Sequence, residues 1–252
     1  MDTASTAKCI ILIPAYNEER SIVSVVERLA ITLTQSRIAA TIVVIDDGSH
    51  DSTCQRIETL GTGITVLSGP HQGYHFAIRR GITYAVQSGY TTAILMDGDG
   101  QHATENIRSL LNSSNDGADI LFIDRGGFDD PWGIRCLKTI GRNVYRLILW
   151  STTRYYVKDP TSGNMRLNRR AMKLLYDVQD KHLFSGVGLI VLARDSGLTF
   201  AEVPGTMYRS TRKSRIHPNL VASIREVVVT CWYVLYNRNI AKYICGHAAN
   251  QR

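Results

Sequence analysis

Apolar and polar residues alternate along the chain in a pattern that predicts strands and helices in turn. Uninterrupted apolar runs, typical of strands buried on both faces, occupy residues 9–14, 41–45, 64–67, 92–96 and 120–123. Apolar residues at helical spacing lie between them, over residues 22–33, 53–60 and 76–88. Strands that alternate with helices predict an α/β fold with a mostly parallel, Rossmann-like sheet covered by helices on both faces.

The domain organisation follows from length and composition. A chain of 252 residues with 44% hydrophobic content can bury one large core. We expect a flexible N-terminus at residues 1–8, a single domain at 9–217, and a C-terminal helix and tail at 218–252. Residues 219–238 place apolar side chains on one helical face, so this amphipathic helix either lies on a membrane surface or packs on the domain with Trp232 in the core.

Charge and cysteine usage narrow the class of protein. The net charge of +7 suits an anionic partner, but the basic residues are dispersed and no aromatic-basic reading motif appears, so we expect no nucleic-acid binding. The five cysteines form no CxxC pair and indicate neither a disulfide framework nor a zinc site. No signal-peptide pattern and no membrane-spanning run appears. We therefore expect a cytoplasmic protein that is soluble or peripheral on the cytosolic membrane face.

Polar clusters follow three of the predicted strands. They are Tyr16-Asn17-Glu18, Asp46-Asp47-Gly48-Ser49 and Asp97-Gly98-Asp99. Each alone is also ordinary turn chemistry, in which Asn17 or Asp51 caps a helix. Parallel sheets bind ligands at the carboxyl ends of their strands, so the three clusters together predict one binding crevice.

The third cluster has the chemistry of a metal site. Asp97 and Asp99 are two positions apart and face the same side of an extended chain, and Gln101 continues that spacing. Such oxygen ligands suit Mg²⁺ or Mn²⁺, which commonly share their shell with substrate phosphates and water. His102 is a weaker candidate, since a single histidine at such a place more often supports a ligand than binds the metal itself.

Six motifs occur in an order that resembles family 2 glycosyltransferases with the GT-A fold: IPAYNEE, VVIDDGSHDST, GYHFAIRRG, MDGDGQH, DPTSG and EVPGTMYRSTRKSR. The resemblance covers residues 9–215. Within the family the chain is similar to the dolichol-phosphate mannose synthase group, which loads a sugar onto a polyprenyl phosphate. It implies an inverting transfer that needs Mn²⁺ or Mg²⁺ and uses a UDP- or GDP-sugar as donor. Two alternatives stay open: a soluble member that glycosylates a small-molecule or saccharide hydroxyl, and an inactive nucleotide-sugar-binding module.

The resemblance also implies roles for individual residues. Asp97 and Asp99 would serve the donor and the metal, with Gln101 as a further metal ligand and Asp99 also catalytic. Arg125 matches an arginine close to the acceptor phosphate. The remaining donor-binding positions would be Pro14, Ala15, Tyr16, Glu18, Asp46, Asp47, Arg209, Ser214 and Arg215.

Asp159 in the DPTSG motif is the main candidate for a general base. A hydroxyl acceptor needs a base within hydrogen-bond reach, and His182 is the second candidate. The family has an aspartate at the position of Asp159 whatever the acceptor, and the same carboxylate can simply order a turn. A phosphate acceptor is already ionised and depends more on positioning.

The chain departs from the family around the sugar and the acceptor. Tyr74-His75 stands where the synthases usually have Lys-Gly, so one expected cation is missing. Asn164-Met165-Arg166 replaces a Phe-Arg pair, which moves the arginine by one place. The segment that begins at Lys181 carries small and apolar residues where the family has an acidic residue or a glutamine. The identities of the sugar and of the acceptor therefore stay open at this point.

Overall fold

A computed structural model describes residues 8–61, 63–111, 117–126, 132–178 and 186–208. Within these ranges the strands are β1 (Cys9–Ala15), β2 (Ala40–Asp46), β3 (Ile64–Ser68), β4 (Thr92–Leu95), β5 (Ile120–Asp124), β6 (Met165–Asn168) and β7 (Phe200–Pro204). The helices are α1 (Ile22–Ser36), α2 (Thr53–Glu58), α3 (Tyr74–Gln87), α4 (Asn106–Leu111), α5 (Trp132–Thr153), α6 (Arg169–Asp177) and α7 (Gly186–Asp195).

The seven strands form one sheet in the order β3-β2-β1-β4-β6-β5-β7. Strands β1 to β4 pair in parallel, as do β5 and β7, whereas β6 runs antiparallel to both of its neighbours. Because β6 is reversed, its first residue Met165 pairs with Leu95 at the end of β4. The turn before β6 therefore lies at the same edge of the sheet as the loops that follow β1, β2, β4 and β5.

Apolar side chains cover both faces of the sheet. On one face, strand residues such as Ile10 and Leu12 pack with Ile78 of α3, Met172 of α6 and Ile190 of α7. On the other face, Ile11 and Ile13 pack with residues of three further helices, such as Leu29 of α1, Ile57 of α2 and Leu110 of α4. The alternation along β1 explains this division, since successive side chains of a strand point to opposite faces.

The predicted fold class is confirmed: the chain is a mixed α/β domain with a mostly parallel sheet and helices on both faces. The predicted capping of α1 by Asn17 is not observed, because the helix begins at Ile22 and Asn17 has a left-handed backbone with φ of 53°. The predicted C-terminal helix and residues 1–7 lie outside the described residues. Over the part of the chain that is described, no helix is both long enough and apolar enough to cross a membrane.

Candidate active site

The loops after β1 and β2 are tied together at the carboxyl edge of the sheet. The backbone N–H of Asn17 donates to Ser49 Oγ at 2.9 Å, and Asn17 Oδ1 accepts from the backbone N–H of His50 at 2.8 Å. The backbone N–H of Glu18 donates to Thr53 Oγ1 at 2.8 Å. These bonds explain why Asn17 is held outside α1, and they fix the two polar clusters beside each other.

The predicted donor residues Tyr16, Asp46 and Asp47 surround the loop before α3. The ring of Tyr16 stacks on His71, with 3.9 Å between the ring centroids. The carboxylate of Asp47 is buried and accepts from the backbone N–H groups of Gln72 and Gly73 at 3.1 and 2.8 Å. Asp47 thus orders the loop that carries the stacking partner of Tyr16, and Asp46 accepts from the backbone N–H of Ser49 at 3.2 Å.

Three further predicted donor positions lie at the end of β1 or just after it, namely Pro14, Ala15 and Glu18. Ala15 O accepts from the backbone N–H of Asp47 at 2.9 Å, which links the ends of β1 and β2. A Cβ atom built on Gly98 would lie 3.1 Å from Pro14 O, so the loop after β4 passes tightly over the end of β1. Glu18 is buried, and Ser21 Oγ lies 2.8 Å from Glu18 Oε2 and 2.9 Å from Gly98 O.

Asp97 is held by two side chains from outside its own strand. Its Oδ1 accepts from the Tyr74 hydroxyl at 3.1 Å, and its Oδ2 lies 3.6 Å from His102 Nε2. The backbone N–H of Asp97 donates to His102 Nδ1 at 3.1 Å, which leaves the proton of a neutral imidazole on the Nε2 that faces Oδ2. Burial, and then the charge of Asp97, raise the pKa of Tyr74 well above its usual value, so its hydroxyl stays a donor.

Asp99 lies in an environment that disfavours its negative charge. Burial and then the negative charge of Asp97 raise its pKa, and Glu18 adds to this repulsion, whereas the backbone N–H of Gln101 opposes it. That N–H donates to Asp99 Oδ1 at 2.9 Å. A bound cation relieves the repulsion that a carboxylate such as Asp99 experiences from a neighbouring carboxylate.

The donor atoms present at this edge fit a hard divalent cation. Asp97 is 32% exposed at its side chain, so its oxygens can be reached from the crevice. A Cβ atom on Gly163 would lie 3.3 Å from Asp97 Oδ2, and the glycine therefore leaves room beside the carboxylate. Among the described residues, no three Asp, Glu, His or Cys side chains form a complete metal shell. A cation held by Asp97 and Asp99 would take its further ligands from Gln101, from water or from substrate phosphates, as Mg²⁺ commonly does.

The predicted catalytic residues Arg125 and Asp159 form a closed ion pair at the ends of β5 and of the turn before β6. Arg125 Nε donates to Asp159 Oδ2 at 2.5 Å and Nη2 donates to Oδ1 at 2.8 Å. Nη2 also lies 2.6 Å from Thr161 Oγ1. Burial acts to raise the pKa of Asp159, but the hydrogen bonds and charge of Arg125 outweigh it and lower that pKa. Asp159 is therefore ionised and is a weak proton acceptor in this arrangement.

A glutamate that the sequence did not single out fixes this turn. Glu202 of β7 accepts from the backbone N–H of Lys158 and from that of Asp159, each at 2.8 Å. Tyr74 is visible in the sequence as a departure from the family, but its contact with Asp97 is not predicted by that departure. Glu202 opens the motif EVPGTMYRSTRKSR, but the motif indicates no contact with Asp159, which lies 43 positions away in the sequence.

Several predicted positions lie outside the described residues, namely Arg209, Ser214, Arg215 and His182. The chain reaches that boundary next to the loop that carries Asp99 and Gln101. The backbone N–H of Tyr208 donates to Gln101 O at 2.7 Å, and the Tyr208 hydroxyl lies 3.2 Å from Glu105 Oε2. The residue that precedes Arg209 is therefore anchored beside Asp99 and Gln101.

Two relatives of known activity align with most of this chain. The UDP-N-acetylglucosamine–dolichyl-phosphate N-acetylglucosaminyltransferase of Methanococcus voltae is 26% identical, over 77% of this chain and 83% of its own length. The polyprenol monophosphomannose synthase of Mycolicibacterium smegmatis is 27% identical, over 88% of this chain and 85% of its own length.

The fold is similar to that of glucosyl-3-phosphoglycerate synthase from Mycobacterium tuberculosis, solved in complex with Mn²⁺, UDP and phosphoglyceric acid. The TM-score is 0.68 at 20% sequence identity, and the match covers 91% of this chain and 78% of the other. This likeness supports the GT-A fold. The model of the family described as "Glycosyl transferase family 2" matches residues 10–175. The chain belongs to glycosyl transferase family 2 and is a glycosyltransferase.

Proposed function

We propose that the enzyme transfers a sugar, with inversion, from a nucleoside-diphosphate sugar to a polyprenyl phosphate. Both of the relatives described above carry a polyprenyl- or dolichyl-phosphate product or acceptor in their names. The solved neighbour was captured with UDP and Mn²⁺, which supports a nucleotide donor and a divalent metal. UDP and GDP are both compatible with the residues around Tyr16 and Asp46.

On the donor side, the strand-end loops would bind the nucleotide and the carboxylates would hold Mn²⁺ or Mg²⁺. Tyr16, with its ring stacked on His71, lies in the same cross-linked loops as Glu18 and Asp46. Asp97 and Asp99 supply the carboxylate oxygens, and Tyr74 orients Asp97 through its hydroxyl. A divalent cation bound there offsets the negative charge that develops on the departing diphosphate. Arg209, Ser214 and Arg215 are proposed to add fixed charge and hydrogen bonds to the same diphosphate.

The Arg125–Asp159 pair is the observation that favours a phosphate acceptor over a hydroxyl acceptor. A hydroxyl must lose its proton during transfer and needs a base, whereas a phosphate monoester arrives ionised and needs positioning. The lowered pKa of Asp159 and its bidentate contact with Arg125 make it a poor base. We therefore assign Asp159 to orienting Arg125, and Arg125 to holding the acceptor phosphate.

The alternative acceptor is a hydroxyl group of a small molecule. It has support in the fold neighbour, whose name and bound phosphoglyceric acid indicate a soluble acceptor. For that chemistry Asp159 would have to leave Arg125 and approach the hydroxyl, or His182 would have to act as the base. With a phosphate acceptor Asp159 stays paired with Arg125. With a hydroxyl acceptor it must leave Arg125, or His182 must act as the base in its place.

A transfer assay with matched acceptors tests the proposal. Purified enzyme with Mn²⁺ is given labelled UDP-glucose, UDP-N-acetylglucosamine or GDP-mannose, together with a polyprenyl phosphate, the corresponding polyprenol, or 3-phosphoglycerate. We expect transfer to the polyprenyl phosphate alone, with an inverted anomeric linkage by NMR. Transfer to the polyprenol or to 3-phosphoglycerate, or a retained linkage, would contradict the proposal. The Asp99→Asn variant serves as the inactive control.

A further inference from the structure

The long helix α5 and the three residues after it carry most of the large apolar side chains that the described part of the chain exposes to solvent. Ten large apolar or aromatic side chains are exposed in that part, and seven of them lie between residues 132 and 156. Ile140 is 61% exposed, Leu147 64% and Trp150 48%. Soluble monomers rarely leave so concentrated an apolar patch uncovered, so this region indicates an interaction surface.

Helix α5 has one face packed on the domain, an opposite face exposed to solvent, and a basic edge between the two. Leu149 is buried in the core, and Tyr145 and Ile148 pack beside it, so this face attaches α5 to the domain. The opposite face is exposed and apolar. Its residues share this face because they recur three or four positions apart. We call it the α5 stripe, and it consists of Ile140, Val144, Leu147 and Trp150. Basic residues lie along one edge between the two faces, at positions 135, 142 and 146.

Charge around the stripe is of one sign. Residues 132–158 contain six basic residues and no acidic residue. Exposed aromatic rings accompany the charges: Arg146 lies over the ring of Tyr156 at 5.9 Å, and Arg154 over that of Trp150 at 5.4 Å. An apolar stripe flanked by arginines and by Trp and Tyr rings is the composition of helices that lie in the interface of an anionic bilayer.

A second copy of the chain is a poorer match for this surface. A two-fold contact through the α5 stripe would bring the same patch of both copies together. Arg135 and Arg146 of one copy would then approach the same residues of the other, and residues 132–158 contain no acidic residue to offset them. Like charges brought together across an interface oppose association, whereas an anionic lipid surface neutralises them.

We propose that the α5 stripe docks on an anionic lipid bilayer, with the basic edge of the helix against the headgroups. The same edge is tied to the acceptor pair. Arg142 donates to Gly126 O, next to Arg125, and Arg146 Nε donates to Lys158 O at 2.7 Å, next to Asp159. Docking would therefore set the Arg125–Asp159 pair close to the headgroup layer. The delivery of a lipid-phosphate acceptor to Arg125 rests on the proposed function, while docking itself does not.

Vesicle co-sedimentation of the full chain tests the docking surface without any sugar donor. The wild-type protein is expected to bind phosphatidylcholine vesicles that contain phosphatidylglycerol. The Ile140→Glu/Leu147→Glu variant should lose at least about tenfold in partitioning, because two apolar side chains no longer enter the interface. Ile31→Glu is the matched control: Ile31 is 55% exposed but lies on α1, and its replacement should leave partitioning unchanged.

The basic edge is tested separately through lipid charge. Arg135→Gln should weaken binding to the phosphatidylglycerol vesicles by about fivefold, and should leave any binding to pure phosphatidylcholine unchanged, since each basic residue near an anionic surface contributes about 1 kcal/mol. Equal weakening on both vesicles would overturn the electrostatic part of the proposal.

Tryptophan fluorescence gives a readout that needs no change on α5. Of the three tryptophans, Trp132 and Trp150 lie on α5, so a Trp232→Phe variant reports on this helix alone. We expect a blue shift when anionic vesicles are added. Absence of the shift, absence of wild-type vesicle binding, or undiminished binding of the double glutamate variant would each overturn the proposal. So would a wild-type dimer in solution that the double variant dissolves.

These outcomes are separate from the proposed reaction. Calorimetric binding of the nucleotide should be the same for wild type and the double glutamate variant, because the α5 stripe is not part of the donor side. Vesicle binding without any transfer to polyprenyl phosphate would contradict the proposed function and leave the docking surface supported. Transfer to polyprenyl phosphate without vesicle binding would contradict the docking surface and leave the proposed function supported.

Discussion

Asp99 on the donor side and Asp159 on the acceptor side are both carboxylates withdrawn from water, yet their pKa values move in opposite directions. Burial and the neighbouring Asp97 raise the pKa of Asp99, while Arg125 overcomes the effect of burial and lowers the pKa of Asp159. In the described part of the chain, Asp159 has an arginine paired with it, whereas Asp99 has no such basic partner. This difference leads us to propose that a bound metal completes the donor side, whereas the acceptor side is a preformed ion pair.

The largest effect is expected from breaking the acceptor pair. Asp159→Asn leaves the Arg125 guanidinium, which is only 12% exposed, without its counter-charge. The free energy of unfolding should fall by about 3–5 kcal/mol, as for other buried pairs that lose one partner. Denaturant unfolding followed by circular dichroism measures this change.

The double variant Arg125→Met/Asp159→Leu is the control for that interpretation. It removes both charges and should recover much of the lost stability. If Asp159→Asn unfolds at the same denaturant concentration as wild type, the pair is not the structural element described above.

The donor side should respond in the opposite manner. Asp99→Asn removes one of two repelling carboxylates, so the metal-free protein should be no less stable than wild type. Transfer should nevertheless slow by about two to three orders of magnitude, because the charge that holds the metal and offsets the leaving group is lost. Thermal unfolding and initial rates measured on the same preparations check both halves. A variant that retains wild-type rates at saturating Mn²⁺ would exclude Asp99 from the reaction.

A smaller effect is expected from the residue that orients Asp97. Tyr74→Phe removes the hydroxyl that donates to Asp97 Oδ1 at 3.1 Å and leaves the ring in place. We expect Mn²⁺-dependent nucleotide binding to weaken by about five- to tenfold, the range for the loss of one supporting hydrogen bond. Tyr84→Phe, on the same helix, is the matched control and should bind as wild type. Equal affinities for all three proteins would remove Tyr74 from the site.

The smallest expected effect is the change in the free energy of unfolding with pH. The folded-state pKa of Asp159 lies below its unfolded value, so its ion pair stabilises the fold above about pH 4 and loses that contribution as the pH falls through the folded pKa. Asp119 acts in the same direction, because the hydrogen bonds from Thr199 and Asn168 and the charge of Arg170 outweigh burial. Urea midpoints between pH 7 and pH 3 should fall, and Asp159→Asn should fall less steeply. Parallel slopes would contradict the assigned pKa direction.

The sequence predicted the donor half of the fold better than the acceptor half. Strands β1, β2 and β4 are largely buried, and the apolar runs of β1 to β4 place all four strands within one or two residues of the observed bounds. Strand β6 has only four residues, one of which is the buried Arg166, so no apolar run predicts this strand. Its reversed direction follows from pairing across the sheet, which is a long-range property.

The candidate site divides in the same way. The clusters at Tyr16, Asp46 and Asp97 were recognisable because each follows a strand directly, and parallel strand ends meet at one edge. The contact of Tyr74 with Asp97 spans 23 positions, and that of Arg125 with Asp159 spans 34. Such contacts are set by topology and leave no local pattern. The outward-facing stripe of α5 was missed for a related reason, since basic residues interrupt its apolar positions.

The most direct test of the account is a calorimetric titration of UDP and GDP into wild type and Asp99→Asn, with and without Mn²⁺. The account predicts that wild type binds one of the nucleotides tightly only when Mn²⁺ is present, and that Asp99→Asn loses this metal-dependent binding. Nucleotide binding that is equally tight without Mn²⁺, or that survives unchanged in Asp99→Asn, would contradict the claim that Asp97 and Asp99 form a donor site completed by a metal.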